Sequence, residues 1–303
     1  APGEYTLGST VTIGKQITVR GLFAACTKIT ASGTGYSLFK LTDAGAVLER
    51  VTLTGATAST GAGAYVTGGT VQDAIITKNN ATATGNAGGG VWLNGANCVL
   101  RRCRIEGNTA NGYGGGVYAK SAAVLESCFI SANKSAWGGG IYIDSGSSTT
   151  VAHCTFFANT GPSGGPDVYD WNATEVRYLN CVMSTERTGK GVKTKCVVSG
   201  SQTEADLVGK GAALTSETAL DGIDLLGSAF KATAPSVGCT EFATDGLKVN
   251  WTGAASGGLG TTATASFAYE NRTDAMAIET ALYDPAGAKV GGSETGGDFA
   301  FTV

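Results

Sequence analysis

Proline, methionine and histidine are close to missing from these 303 residues, at 5, 2 and 1. A lone histidine excludes any His-rich metal cluster and leaves room for one Ser-His-Asp arrangement at most. Charge is also sparse. Charged residues make up 15%, against roughly a quarter in ordinary domains. The 21 Lys and Arg are outnumbered by 24 Asp and Glu, for a net charge of -3. That balance argues against a nucleic-acid partner. With 42% hydrophobic residues, it also excludes a disordered, single-sign tail. No apolar run approaches the roughly 18 residues of a membrane-spanning helix. The chain opens Ala1-Pro2-Gly3 rather than with Met. An exported protein whose signal peptide has been removed is expected from that start. Eight Cys beside one His fit an oxidising compartment, secreted or at the cell surface.

Glycine is what abounds, at 47 residues, with no Gly-X-Y period and so no collagen. Its clusters are periodic on a longer scale. Gly88-Gly89-Gly90, Gly114-Gly115-Gly116, Gly138-Gly139-Gly140 and Gly164-Gly165 start 26, 24 and 26 residues apart. Cys103, Cys128, Cys154 and Cys181 follow in phase at 25, 26 and 27, with Ala74 in the same place one unit earlier. Asn79, Asn108, Asn133 and Asn159 form a third series, spaced 29, 25 and 26. A shared period in this range signals a stacked solenoid. Within each unit apolar and polar residues alternate, as in Cys128-Phe129-Ile130, which reads as strand. Glycine interrupts every unit too often for helices. Units of this kind predict a right-handed parallel β-helix over residues 1–242, nine to ten rungs, within an all-β chain. Weaker rungs are expected over 9–21, 47–53, 191–200 and 234–239.

Stacking converts the series into columns. The Cys column and its neighbours Ile76, Ile105, Ile130, Phe156 and Met183 are expected to point inward. The Asn column is expected to pass amide hydrogen bonds from rung to rung at a corner. The glycine clusters supply positive φ or close approach at another corner. After residue 242 the pattern stops. Alternating segments at 247–251, 264–269, 276–282 and 299–303, with a turn at Asp284-Pro285-Ala286-Gly287, predict a small β-sandwich or Ig-like domain over 243–303.

The units Ile105-Glu106-Gly107-Asn108 with Gly114 to Tyr118, and Ile130-Ser131-Ala132-Asn133 with Gly138 to Tyr142, resemble the repeats of polymorphic outer-membrane proteins. They also resemble the broad right-handed β-helix class of secreted bacterial proteins. The opening Pro2-Gly3-Glu4-Tyr5, leading to Ile17-Thr18-Val19-Arg20-Gly21, is similar to the first rungs of pectate-lyase-like β-helices. The resemblance implies the fold, and a membership that includes adhesins, surface-layer components and polysaccharide-cleaving enzymes. A cap usually precedes such an opening, whereas here Ala1 alone does. A bare first rung, seeking a second molecule, is therefore expected.

Chemistry is hard to place on these residues. A lyase needs clustered carboxylates and a basic residue on one face. Asp43, Asp73, Asp144, Asp167 and Asp170 fall at different phases of the repeat. Asp167 and Asp170 are close in sequence and are read as solvated loop carboxylates rather than cation ligands. His153 precedes Cys154, so alternation turns it outward, away from any Cys-His pairing. Arg101, Arg102 and Arg104 form a basic patch that Glu106 and Glu126 are near enough to neutralise. Sequons occur at Asn80, Asn133, Asn172, Asn250 and Asn271. The cysteines lack CxxC spacing. Cys103–Cys128 and Cys154–Cys181 are within bonding reach across rungs, but reduced interior thiols are the favoured reading. Cys26, Cys98, Cys196 and Cys239 are placed off the column, with Cys196–Cys239 as the expected disulfide. No catalytic, metal or cofactor residue is nominated.

Trp92, Tyr118, Tyr142 and Tyr169 follow inward aliphatics and are expected to face out. Such a column can stack on sugar rings or dock a partner, or stack on itself, which is the expectation preferred here. Two functions remain. The first is an extracellular structural or surface protein that assembles head-to-tail with itself, through Pro2 and Tyr5 at one end and Phe299 and Phe301 at the other. The second is a carbohydrate-active β-helix, a lyase or binding module, or an adhesin bound to polysaccharide or a cell surface.

Overall fold

The structure is a computed structural model. It describes residues 1–170 without a break, most of 173–198, short stretches between 207 and 239, and the backbone of six strands between 248 and 302.

Each repeat closes one turn of a parallel coil. In one turn the strand Arg104–Glu106 lies in sheet A, Val117–Ala119 in sheet B and Ala123–Glu126 in sheet C, before Phe129–Ser131 re-enters sheet A. Pairings within the three sheets are all parallel and join equivalent residues of successive turns. Ile105, for example, lies between Ile76 and Ile130. Among the described residues sheet A stacks nine strands, sheets B and C eight each, and a fourth short ladder three.

Alternation decides which side chains enter the coil. Sheet A contributes Leu53, Ile76, Ile105, Ile130, Phe156 and Met183 to the core, and sheet C contributes Leu48, Val71, Leu100, Leu125 and Val151. In the inner turns of sheet B both ends of a three-residue strand turn inward, such as Val91 with Leu93 and Ile141 with Ile143. The middle residue is left on the outer face, which is where the aromatic column sits.

Three corners rely on left-handed backbone, the one after sheet A through Lys78, Gly107, Ala132 and Ala158. At the corner from sheet C to sheet A, Arg50, Asp73, Arg102, Ser127, His153, Asn180 and Lys195 all take φ between 47° and 57°. This costs roughly 1 kcal/mol or more per non-glycine residue. Ladder bonds offset the cost: Ser127 N donates to Ala152 O at 3.0 Å and His153 N to Leu179 O at 2.8 Å. At the entry to sheet B the first glycine of each cluster supplies the positive φ: 64° at Gly88, 72° at Gly114 and 62° at Gly138. The middle glycine does a different job. A Cβ on Gly115 would come within 2.5 Å of Gly139 O in the next turn.

The residue after each left-handed corner points into the coil. The column therefore runs Val51, Ala74, Cys103, Cys128, Cys154, Cys181, Cys196. Cys196 was expected off this column and is its last member among the described residues. The final turn spans only 15 residues from Cys181 to Cys196, so the longer spacing that marks the other cysteines no longer reveals it.

The expected rung at 234–239 forms no strand over its described residues, 235–239. Pro235 to Cys239 belong to a strap laid across the corner from sheet C to sheet A. Gly238 N donates to Asn180 O at 2.7 Å, and Cys239 N to Thr155 Oγ1 at 3.1 Å. Ser127 Oγ donates to Ile223 O at 2.7 Å, and the Phe230 ring lies 3.8 Å from that of His153. Among the described residues, side chains and isolated backbone bonds hold the strap.

The chain divides into two compact units, Gly3–Glu241, and Phe242–Val303 with Ala1–Pro2. In the latter, Lys248–Trp251 pairs antiparallel with Phe267–Glu270, Thr262–Ala265 with Phe299–Thr302, and Thr280–Tyr283 with Lys289–Ser293. The start of the strand expected at 276–282 lies outside the described residues. Among the described residues no helix is long and apolar enough to cross a membrane.

Candidate functional site

The aromatic column stands on the outer face of sheet B, in register as Tyr65, Trp92, Tyr118, Tyr142 and Tyr169. Parallel pairing places each ring over the next. Tyr65 and Trp92 stack at 4.3 Å, Tyr118 and Tyr142 at 5.4 Å, and Tyr142 and Tyr169 at 5.1 Å. A second row from the adjoining corner covers the stack. Tyr113 lies on Tyr142 at 4.7 Å, and Trp137 meets Tyr169 edge-on at 5.0 Å. Trp92 and Tyr118 are buried, whereas Tyr65, Tyr142 and Tyr169 stay partly exposed. Tyr118 Oη donates to Asp144 Oδ2 at 2.7 Å. Burial raises the pKa of both phenols, Tyr142 to about 12. The column leaves the coil outward, as alternation requires, but its faces are spent on one another.

The Asn column is a closed chain of amides. Asn133 Oδ1 accepts from Asn108 N at 2.9 Å and from Asn108 Nδ2 at 3.0 Å. Its own Nδ2 donates to Ile105 O at 2.8 Å and to Asn159 Oδ1 at 3.1 Å. Asn133 is fully buried, which closes that sequon. Asn172 and Asn271 lie outside the described residues.

Asp167 ends this chain. It was expected as a solvated loop carboxylate and is instead 0% exposed. Its Oδ1 accepts from Asn159 Nδ2 at 2.9 Å, and its Oδ2 from Ser184 Oγ at 2.8 Å and Thr185 N at 2.9 Å. Asp170, also 0% exposed, accepts from Tyr178 Oη at 3.0 Å and Gly191 N at 2.9 Å. Both carboxylates stay buried because the shortened last turns aim donors at them. They point to separate partners, and among the described residues no three His, Cys, Asp or Glu converge as a metal site.

His153 is turned away from Cys154 but is not at the surface, being 1% exposed. The strap covers it. Its Nε2 lies 3.1 Å from Asn180 Nδ2, while Nδ1 has no hydrogen-bond partner. Burial pulls its pKa down to about 4, against weaker opposition from the backbone of Gly238 and Ser236. Sequence periodicity could not show the strap, because its contacts ignore the repeat.

All eight cysteines are free thiols. The expected Cys196–Cys239 pair is not joined. Cys239 N is held by Thr155 Oγ1, whereas Cys196 Sγ accepts from Cys181 N at 3.4 Å. Burial raises the pKa of Cys103, Cys128, Cys154 and Cys181. The arginine patch is neutralised as expected by Glu126 on Arg101 at 2.9 Å and Glu106 on Arg104 at 3.1 Å. Arg102 is paired with Asp73 at 2.7 Å, a partner one turn back that the sequence reading did not name.

One open groove was missed. About 260 Å³ in volume, it is lined by Tyr36, Ser37, Lys40, Ser59, Thr60 and Tyr65. Lys40 Nζ lies 5.5 Å from the centre of the Tyr65 ring and, among the described residues, makes no ion pair. Extending the aromatic register upstream would have found it, since Lys40 pairs with Tyr65 one turn before Trp92.

A parallel three-sheet coil with an internal Asn ladder defines a β-solenoid. The chain belongs to the right-handed β-helix family: residues 21–203, more than half its length, match the family described as a right handed beta helix region. No curated protein and no solved structure matches it.

Proposed function

We propose that this protein is a non-catalytic extracellular structural protein, displayed on or outside a cell and joined head-to-tail with copies of itself into a filament or layer. One observation carries the reading. Several side chains able to do chemistry are used to build the coil: Asp167, Asp170 and His153 are buried, and the outer aromatic rings are stacked on each other. Such a coil offers a regular body whose repeated turns a copy can extend.

Self-association has a surface suited to it. Among the described residues, Gly3–Leu7, Val11–Ile13 and Thr18–Arg20 are the edge strands of sheets A, B and C. Tyr5, Val11 and Ile17 are exposed there. A further parallel turn from a second copy would continue all three sheets, and such contacts propagate rather than close. Phe299 and Phe301, assigned to the opposite end, fall on Phe299–Thr302, whose side chains lie outside the described residues. A small β-sandwich over 243–303 is part of the same proposal, supported by three antiparallel strand pairs. Electron microscopy and sedimentation of the native protein test the assembly. Polymers are expected, and their loss in a Tyr5→Lys, Val11→Lys double variant. Discrete monomers under all conditions overturn it.

The groove at Lys40 supports a second reading, capture of an acidic saccharide, with Tyr36 and Tyr65 as stacking faces and Lys40 as the carboxylate partner. A panel of polyuronides, with and without Ca²⁺, tests it. Binding lost on Lys40→Ala favours this reading, and no binding across the panel removes it.

A further inference from the structure

The five stacked thiols are not equivalent. Cys103, Cys128, Cys154 and Cys181 are buried, and Cys196, at the end of the column, is partly exposed. Register places the last two side by side. Val182 pairs with Val197 and Met183 with Val198, so the residues just before them face each other across adjacent parallel strands. Strands in a sheet lie about 4.8 Å apart, inside the Cα separation that a disulfide tolerates. Contact is direct, because Cys181 N donates to Cys196 Sγ at 3.4 Å.

We propose that Cys181 and Cys196 are a redox-active pair, in which Cys196 reacts with a low-molecular-weight disulfide and Cys181 resolves the product into an internal cross-turn disulfide. The assignment is independent of the self-assembly reading. Electrostatics sets the polarity of the pair. The neighbouring Cys181 lowers the pKa of Cys196, with Lys193 adding to the effect, while burial raises that of Cys181. A partly exposed, thiolate-prone sulfur beside a buried resolving thiol is the arrangement that exchange chemistry requires. The three inner thiols have the same spacing but no route to a reagent.

The exchange balances with glutathione disulfide as the oxidant. The Cys196 thiolate attacks one sulfur, forms a mixed disulfide and releases one glutathione thiolate, which takes up the proton that Cys196 gave up. The Cys181 sulfur then attacks Cys196 Sγ. The bond to glutathione breaks, and the second glutathione thiolate leaves with the proton of Cys181. Two protein thiols are oxidised and one glutathione disulfide is reduced to two thiols.

The test is a peptide map of the full chain. Native protein is incubated with glutathione disulfide, free thiols are blocked with N-ethylmaleimide, and tryptic peptides are weighed. Residues 178–187, carrying Cys181, and 196–210, carrying Cys196, are bounded by Arg and Lys. They are expected as one linked species. Cys103, Cys128 and Cys154 are expected to be blocked only after unfolding, with Cys196 reacting at least about tenfold faster. In Cys181→Ala the Cys196–glutathione mixed disulfide is expected to accumulate. The wild-type map stands alone should that variant fail to fold. A stable mixed disulfide on wild-type Cys196, a link from Cys196 to Cys154 or Cys239, or an unreacted Cys196 would each overturn the proposal.

Discussion

Acidification should loosen the strap before it loosens the coil. His153 is buried beneath Phe230 and neutral, with its Nε2 toward the Asn180 amide. Its pKa falls from an ordinary 6.5 to about 4 because burial disfavours the charged form. When the strap opens, the ring regains its ordinary value and binds a proton more readily than when closed. The stabilisation is therefore complete above pH 6.5. It declines as pH falls through the window and is gone below about 4. A gap of about 2.5 units at about 1.4 kcal/mol each comes to roughly 3 kcal/mol. The assay is hydrogen exchange at Gly238 and Val237, whose amides bond Asn180 O and Leu207 O, followed from pH 7 to 4. His153→Asn is the control, since Asn tolerates the left-handed φ of 51° at that corner. Opening free energy should drop by about 3 kcal/mol in the wild type and stay flat in the variant, after correction for intrinsic exchange. Parallel pH profiles for the two proteins would refute the reasoning.

Further outcomes follow from the columns. Asn133→Ala removes the acceptor of Asn108 N and the donor to Ile105 O, both buried. At about 1–3 kcal/mol per orphaned group, urea unfolding should show a loss of roughly 3–5 kcal/mol. Gly115→Ala should abolish soluble expression or cost more than about 3 kcal/mol, because the new methyl meets Gly139 O and the Lys134 backbone. Gly107→Ala should cost no more than about 1 kcal/mol. Its φ of 64° is matched by 53° at Ala132 and at Ala158 in the same corner, and the added methyl meets nothing closer than 3.9 Å. Comparing the two melting temperatures separates close approach from backbone conformation as the role of each glycine. Tyr118→Phe deletes the bond to Asp144 Oδ2 and should cost about 1 kcal/mol in the same urea assay without changing near-ultraviolet stacking signals.

Residue order alone determined the coil. A period shared by Gly114, Cys128 and Asn133 forces equivalent residues into register, and alternation within three-residue strands settles inside from outside at Ile105 or Ile130. The amide ladder follows as well, because one short side chain repeated at a corner has only its own copies as neighbours. Tertiary structure decided everything that breaks the period. Cys196 entered the thiol column because it follows the left-handed corner at Lys195, in a turn too short for the shared period to reveal it. Asp167 and Asp170 became buried acceptors because Ser184, Thr185 and Gly191 fold over them. His153 disappeared beneath a strap whose contacts reach some 80 residues along the chain, as from Thr155 to Cys239. A repeat transmits information only to its nearest turns, so the fate of a side chain covered from far away cannot be read from its own unit.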